Sequence, residues 1–99
     1  MSVDALLRQL RERREEIVRT AADYGAHHVR VFGSVARGDA GPDSDLDLLV
    51  QFEPGATLLS HAALVRELEA LLGRKVDVVS ERALRPKLRE RVLREAVSL

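Results

Sequence analysis

The chain has 99 residues, no cysteine, and 16 basic side chains set against 16 acidic ones. A chain of this length buries about 60 to 65% of the surface of its unfolded form, so we expect a single domain over residues 1–99. The absence of cysteine excludes disulfides, thiolate zinc sites, iron–sulfur clusters and a cysteine nucleophile. No stretch is long and apolar enough for a membrane span or a signal peptide, so we expect no membrane partner and a cytoplasmic location.

The zero net charge hides an acidic centre. Residues 31–60 contain one basic and five acidic side chains, and no Lys or Arg lies between Gly38 and Val65. Carboxylates that cluster without cationic neighbours repel one another, raise one another's pKa, or hold a metal. Non-specific binding of nucleic acid requires a clear basic surplus, so we do not expect nucleic acid as the main partner.

The N-terminal half predicts a helix, a strand and a turn. Apolar residues at helical spacing predict one amphipathic helix over residues 3–24, with Ser2 as its N-cap and Gly25 at its end. A β-branched strand over residues 28–32 runs into Gly33-Ser34, and we expect a short helix after this turn. Residues 38–44 are rich in turn-forming residues and predict a loop.

The next strand, predicted over residues 45–52, alternates between two kinds of side chain. One face carries Leu46, Leu48, Val50 and Phe52, and the other carries Asp45, Asp47, Leu49 and Gln51. Because side chains alternate along a strand, the two aspartates lie on the same face, about 6.5 to 7 Å apart. Considered alone, this pair also fits a solvated strand face, and Gly33-Ser34 alone fits an ordinary turn.

The C-terminal half predicts two more helices and one more strand. A helix over residues 58–72 ends at Gly73, and a strand over residues 75–79 places Asp77 between two valines. A last helix begins at Pro86 and ends near Ala96, with Leu88, Val92, Leu93 and Ala96 on its buried side. The order of elements predicts helices packed on a sheet of three or more strands, an α/β or α+β layer, and leaves the direction of strand pairing open.

Taken together, these pieces form a more specific pattern than any of them alone. A strand is followed by Gly33-Ser34, then by Asp45 and Asp47 on one strand face, then by Asp77 on a later strand. This pattern resembles the nucleotidyltransferase superfamily with the DNA polymerase β-like fold. The run from Gly33 to Val50, with the closing pattern of Leu93–Val97, is similar to its minimal branch, the MntA-like antitoxins encoded beside HEPN-domain toxins. The resemblance implies an α+β fold with a small mixed sheet.

The resemblance also implies a site and its ligands. Members of the family bind ATP with two Mg²⁺ ions, and three residues match their metal-binding and catalytic carboxylates: Asp45, Asp47 and Asp77. Gly33 and Ser34 match the residues that position the triphosphate. Arg37 is suited to meet the leaving pyrophosphate, and a simple loop salt bridge is the alternative.

The function implied by the resemblance is Mg²⁺-dependent transfer of AMP from ATP to a hydroxyl, namely a tyrosine of a cognate HEPN toxin, which would silence that toxin. Two alternatives stay open. The first is an antitoxin that neutralises its partner by binding alone. The second is a small-molecule nucleotidyltransferase acting as a dimer, which requires a concave acceptor pocket of about 300 Å³ or more. A homo-oligomer and a hetero-oligomer are both compatible with the sequence.

Overall fold

A computed structural model describes the backbone of residues 3–99 and the side chains of residues 5–99. The helices are α1 (Val3–Glu12), α2 (Arg14–Asp23), α3 (Gly33–Arg37), α4 (Leu58–Leu72) and α5 (Pro86–Glu95). The strands are β1 (Ala26–Phe32), β2 (Leu46–Phe52), β3 (Val76–Ser80) and β4 (Val97–Ser98), and a 3₁₀ turn covers Glu81–Ala83. The predicted α+β class is therefore confirmed. Within the described residues, no helix has the length and apolar character that crossing a membrane requires.

The sheet has the strand order β3-β2-β1-β4 and is mixed. β1 pairs antiparallel with both β2 and β4, whereas β2 pairs parallel with β3. Parallel neighbours require a crossover connection, and α4 supplies it between β2 and β3. As a result, β2 lies in the interior of the sheet, and its first residues adjoin the start of β3 on one side and the end of β1 on the other.

The two faces of β2 are both covered, in different ways. Leu46, Leu48 and Val50 face the main core, where they are fully buried with residues of α2 and α4 such as Ile17, Leu64 and Leu68. The predicted alternation is thus confirmed on this side. On the opposite face, Leu49 is also 0% exposed, and the 3₁₀ turn contacts β2. The aspartate face is therefore only partly open to solvent.

The prediction of one continuous helix over residues 3–24 was wrong, because the chain forms α1 and α2 with a break at Arg13. Arg13 has φ −103° and ψ 17°. No glycine or proline lies near it in the sequence, so the sequence gives no signal for the break. Its guanidinium donates a hydrogen bond of 2.6 Å to the carbonyl oxygen of Leu71 at the end of α4. A tertiary contact therefore accompanies this break. The predicted N-cap, Ser2, lies outside the described residues.

The predicted buried side of the last helix was also partly wrong. Val92 is buried, but Leu88 is 48% exposed and Leu93 is 39% exposed. α5 follows a 3₁₀ turn that brings polar side chains under it, and Arg89 of α5 binds Glu81 of that turn. Val92 is consequently the one residue of α5 that is buried among those the structure describes.

Glu81 is the acid of a buried ion pair. It accepts hydrogen bonds from Arg30 (2.8 Å) and Gln51 (2.9 Å), and the side chains of Arg30 and Glu81 are 8% and 10% exposed. The bonds from Gln51 and Arg30 lower the pKa of Glu81 from 4.5 to about 2, and Arg89 adds to this effect. Such a pair is costly to break from one side, because the remaining charge stays buried without a partner.

We expect Glu81→Gln to lower the free energy of unfolding by about 3 kcal/mol at neutral pH, since a neutral amide keeps the shape but leaves the charge of Arg30 buried without its counter-ion. The folded pKa of Glu81 lies below its unfolded value, so its contribution is complete above pH 4.5 and is lost as pH falls toward 2. Urea unfolding between pH 7 and pH 3 measures both effects. The variant should show a flatter acid limb than wild type, while Glu67→Gln, at an exposed position of α4, should match wild type.

Candidate active site

Two of the three predicted aspartates face each other across neighbouring strands. In the parallel pairing of β2 with β3, Asp47 is the register partner of Asp77, so their Cα atoms are about 4.8 Å apart and their side chains share one face. Asp45 directly precedes β2 and is exposed, as is Asp77, whereas Asp47 is half-buried. The sheet therefore gathers all three carboxylates at the end where β2 and β3 begin.

Asp47 lies in an electrostatic environment that disfavours its charge. Burial raises its pKa, and the negative charges of Asp77 and Asp45 raise this pKa further, while Arg37 opposes the shift. None of the three carboxylates has a hydrogen-bond donor or an ion-pair partner among residues 5–99. Like charges that adjoin one another without compensation favour the binding of a cation.

The arrangement fits a cation that takes few ligands from the protein. Over the described side chains, no group of three or more His, Asp or Glu residues is placed to hold one metal ion together. Mg²⁺ characteristically uses one or two carboxylates and completes its shell with water and substrate phosphates. The pairs formed by Asp47 with Asp45 or Asp77 therefore suit Mg²⁺ better than a metal that needs a closed protein cage.

The backbone at Gly33 lies close to the carboxylate of Asp47. Its φ is +74°, and a Cβ atom at this position would lie 2.2 Å from Oδ2 of Asp47. The reason is the register of the sheet, since Phe32 is paired with Asp47 and Gly33 is the next residue. Only glycine adopts this conformation freely while leaving room for the carboxylate.

Ser34 follows in the first turn of α3, the short helix predicted after the turn. Its backbone carbonyl oxygen accepts hydrogen bonds from the N–H groups of Gly38 (3.1 Å) and Asp39 (3.0 Å). These bonds close the loop after α3. The side chain of Ser34 is half-buried and has no hydrogen-bond partner within the described part of the chain.

Arg37 is held in two ion pairs. Its guanidinium binds Glu95 at 2.6 Å and Asp39 at 3.4 Å, and 47% of its side chain is exposed. The hydrogen bonds to Glu95 and Asp39 raise the pKa of Arg37, so its positive charge is permanent. The loop salt bridge considered from the sequence is therefore present. Arg37 still influences the carboxylates, because its charge opposes the upward shift of the Asp47 pKa.

Glu95 is a residue of this site that was not predicted from the sequence. One of its carboxylate oxygens accepts hydrogen bonds from both the Gly33 N–H (3.1 Å) and Arg37 (2.6 Å). A signal for it existed in the closing pattern of Leu93–Val97, which contributes to the family resemblance. Its place in the site could not be read from that pattern, because β4 is only two residues long and was not predicted.

A cavity of about 520 Å³ lies at another place on the surface. Its lining includes apolar side chains of α1 and α4, the arginines at positions 13 and 74, and the loop at residues 40–42. None of the predicted site residues lines it. The cavity consequently gives no support to a small-molecule acceptor pocket at the aspartates.

Comparison with known proteins places the chain in a family. The family model of the nucleotidyltransferase domain matches residues 7–99. A proposed protein adenylyltransferase of Methanocaldococcus jannaschii is 37% identical over 90 residues, which cover 91% of this chain and 97% of that protein. Protein adenylyltransferase MntA of Thermococcus cleftensis is 46% identical over 74 residues, which cover 75% of each chain.

Solved structures are similar over most of the chain. One, described as a proposed minimal nucleotidyltransferase, has a TM-score of 0.84 at 60% identity and covers 100% of this chain and 97% of its own. A toxin–antitoxin complex with AMP-PNP has a TM-score of 0.73 at 22% identity, over 85% of this chain and 69% of that one. A complex of a tri-AMPylated Shewanella oneidensis HEPN toxin with an MNT antitoxin has a TM-score of 0.67 at 19% identity, over 89% and 69%. At these last two identities the likeness establishes the fold alone.

Proposed function

This chain belongs to the nucleotidyltransferase domain family, and on that premise we propose that it transfers AMP from ATP to a hydroxyl group of a partner protein. The observation that carries the proposal is the placement of Asp47. It lies beside Asp77 in the sheet register and against the backbone of Gly33. A carboxylate pair directly next to a glycine-lined turn is suited to hold metal-bound phosphates.

In the proposed transfer, different residues of the site would bind metal, bind phosphate and accept a proton. Asp45, Asp47 and Asp77 would hold two Mg²⁺ ions, which when bound neutralise phosphate charge and stabilise the attacking and leaving oxygens. Gly33 and Ser34 would position the triphosphate, and Arg37 would meet the pyrophosphate. Asp77 would accept the proton of the acceptor hydroxyl. The acceptor oxygen forms its bond to the α-phosphorus as the bond between that phosphorus and pyrophosphate breaks.

The acceptor that we propose is a tyrosine of a HEPN-domain toxin. The exposed positions of Asp45 and Asp77 support an acceptor that arrives on a large partner, because they leave this end of the sheet open. The names of the relatives support it as well, since they include protein adenylyltransferases and an MNT antitoxin in complex with an AMPylated HEPN toxin. Attachment of AMP to the toxin would make this chain its antitoxin.

The test is to incubate the purified chain with Mg²⁺, a HEPN-domain toxin from the same genome, and ATP labelled at the α- or the γ-phosphate. We expect label on the partner from α-labelled ATP alone, its loss with EDTA, and its loss when the acceptor tyrosine is replaced by phenylalanine. Label from γ-labelled ATP would indicate a kinase instead. A stable complex that carries no label from either ATP would contradict transfer and favour neutralisation by binding.

A further inference from the structure

Glu95 connects two parts of the site that are far from it in sequence. The same oxygen, Oε1, accepts from the Gly33 N–H at 3.1 Å and from Nη1 of Arg37 at 2.6 Å. Its side chain is 20% exposed, compared with 47% for Arg37. The acid is thus the more enclosed partner of this ion pair.

The register of β4 explains why Glu95 lies there. β4 pairs antiparallel with β1, and Val97 faces Val31, which is fully buried. Continuing that register by two residues brings Glu95 opposite Gly33. A hydrogen bond of 3.1 Å from Arg11 to the Ser98 carbonyl oxygen ties β4 to α1 as well. Glu95 is the last residue of α5, and β4 begins two residues later, so both elements fix its position.

The negative charge of Glu95 disfavours the negative charge of Asp47. Glu95 contributes to raising the pKa of Asp47, although less than burial, Asp77 and Asp45 do. Glu95 is a fourth acid near the three aspartates. Its negative charge is compensated by its hydrogen bonds from the Gly33 N–H and from Arg37. One contact holds the backbone of Gly33, which adjoins Asp47. The other holds Arg37, the one Lys or Arg between Gly33 and Val65.

We infer that Glu95 is a positioning residue of the transfer site, which holds Arg37 and the Gly33 peptide in the orientation that receives the phosphates of the nucleotide. This inference rests on the proposed function and adds a residue to it. Glu95 acts through Arg37 and Gly33, and it does not itself contact the nucleotide. In its absence Arg37 would keep, among the described side chains, the longer contact to Asp39 at 3.4 Å, and its charge would no longer be fixed beside the turn.

The test compares Glu95→Gln and Glu95→Ala with wild type in binding of Mg²⁺–ATP by calorimetry and in steady-state transfer. The glutamine keeps an acceptor for the Gly33 N–H and removes the charge that fixes Arg37, so we expect Kd and KM for ATP to rise roughly tenfold. We expect kcat to change less and the Tm to stay near that of wild type. Glu90→Gln is the matched control, since Glu90 lies on the same helix in an exposed ion pair of 3.9 Å with Arg94, and it should leave every parameter unchanged.

The Arg37→Gln background separates positioning from general destabilisation. If Glu95 acts through Arg37, adding Glu95→Gln to Arg37→Gln should weaken ATP binding by less than twofold, because interacting residues are non-additive. Additive losses, or a fall in Tm that accounts for the lost activity, would overturn the inference. Tighter ATP binding by Glu95→Gln would also overturn it, since Glu95 would then compete with phosphate. If wild type neither binds ATP nor transfers AMP, the proposed function fails first; if wild type does both and Glu95→Gln equals it, this inference alone fails.

Discussion

Replacing Asp47 with asparagine should reduce AMP transfer by roughly a hundredfold or more while leaving the fold at least as stable as wild type. The activity falls because the amide keeps the shape of the side chain but loses the charge that would hold a metal between Asp45 and Asp77. The stability is kept because the charge of Asp47 is unfavourable in the folded state. Its pKa is raised by burial and by the two neighbouring aspartates, and no donor among the described residues compensates it.

The pH dependence follows from the direction of this shift. A carboxyl whose folded pKa lies above its unfolded value disfavours folding once pH exceeds the folded value, and the penalty vanishes below the unfolded value. In wild type without metal, this group therefore makes the protein more stable as pH falls through the raised pKa. Asp47→Asn removes that dependence. The sign is opposite to that of Glu81, whose lowered pKa makes it stabilising at neutral pH.

The measurement pairs the α-label transfer assay with urea unfolding of the metal-free protein at pH 7 and pH 5. Asp43→Asn is a matched control, because Asp43 is an exposed loop residue two positions before Asp45, and we expect wild-type activity and stability from it. A variant at Asp47 that keeps more than a tenth of the activity would contradict the assigned role. A clear loss of folding stability at pH 7 would contradict the electrostatic argument.

The part of the site at the start of β2 and just before it could be predicted from sequence, because it depends on local geometry. Alternation along a strand places Asp45 and Asp47 on one face without knowledge of the sheet. A glycine after a strand likewise marks a turn wherever it occurs. The position of Asp77 beside Asp47 is different, because it depends on β2 and β3 being parallel and in register. Neither property follows from composition. The sequence marks Asp77 only as a carboxylate in an otherwise apolar strand, and the family resemblance adds its role.

The features that the sequence did not predict depend on contacts between distant segments. The break at Arg13 accompanies a hydrogen bond to a carbonyl of α4, at Leu71. β4 is two residues long, too short for a periodic pattern, and it exists because the edge of β1 is available to it. Glu95 enters the site only through that pairing. A carboxylate at the end of an amphipathic helix gives no local sign that its partner is a backbone N–H 62 residues away.

The pairing register of the strands positions the residues of the site, and it explains why residue 33 must be a glycine. Asp47 has Phe32 as its partner in β1 and Asp77 as its partner in β3. Gly33, which follows Phe32, must turn away from the sheet directly beside the Asp47 carboxylate. Any side chain at residue 33 would occupy the volume of that carboxylate. Strand pairing fixes the backbone of Asp47 on both sides, so the carboxylate could make room only by rotating away from its place in the site.

Gly33→Ala should therefore abolish transfer, with a loss of roughly a hundredfold or more, because small displacements of a reacting group have effects of this size. The new Cβ would lie 2.2 Å from Oδ2, 3.1 Å from Cγ and 3.3 Å from Cβ of Asp47. The φ of +74° adds backbone strain of about 1 to 2 kcal/mol for any residue with a Cβ. We expect the free energy of unfolding to fall by about 2 to 4 kcal/mol from the two causes together.

Gly73→Ala separates the effect of backbone strain from the effect of the contact between a new Cβ and Asp47. Gly73 has a φ of +66°, close to that of Gly33, and nothing lies within 4 Å of the Cβ that alanine would add. Gly38→Ala, with a φ of +88° and equally open surroundings, repeats the comparison in the loop after α3. Both controls should lose about 1 to 2 kcal/mol of stability and keep transfer at the temperature where they remain folded. If they lose transfer as completely as Gly33→Ala does, strain alone explains the loss, and the contact between Gly33 and Asp47 is not what the reaction requires.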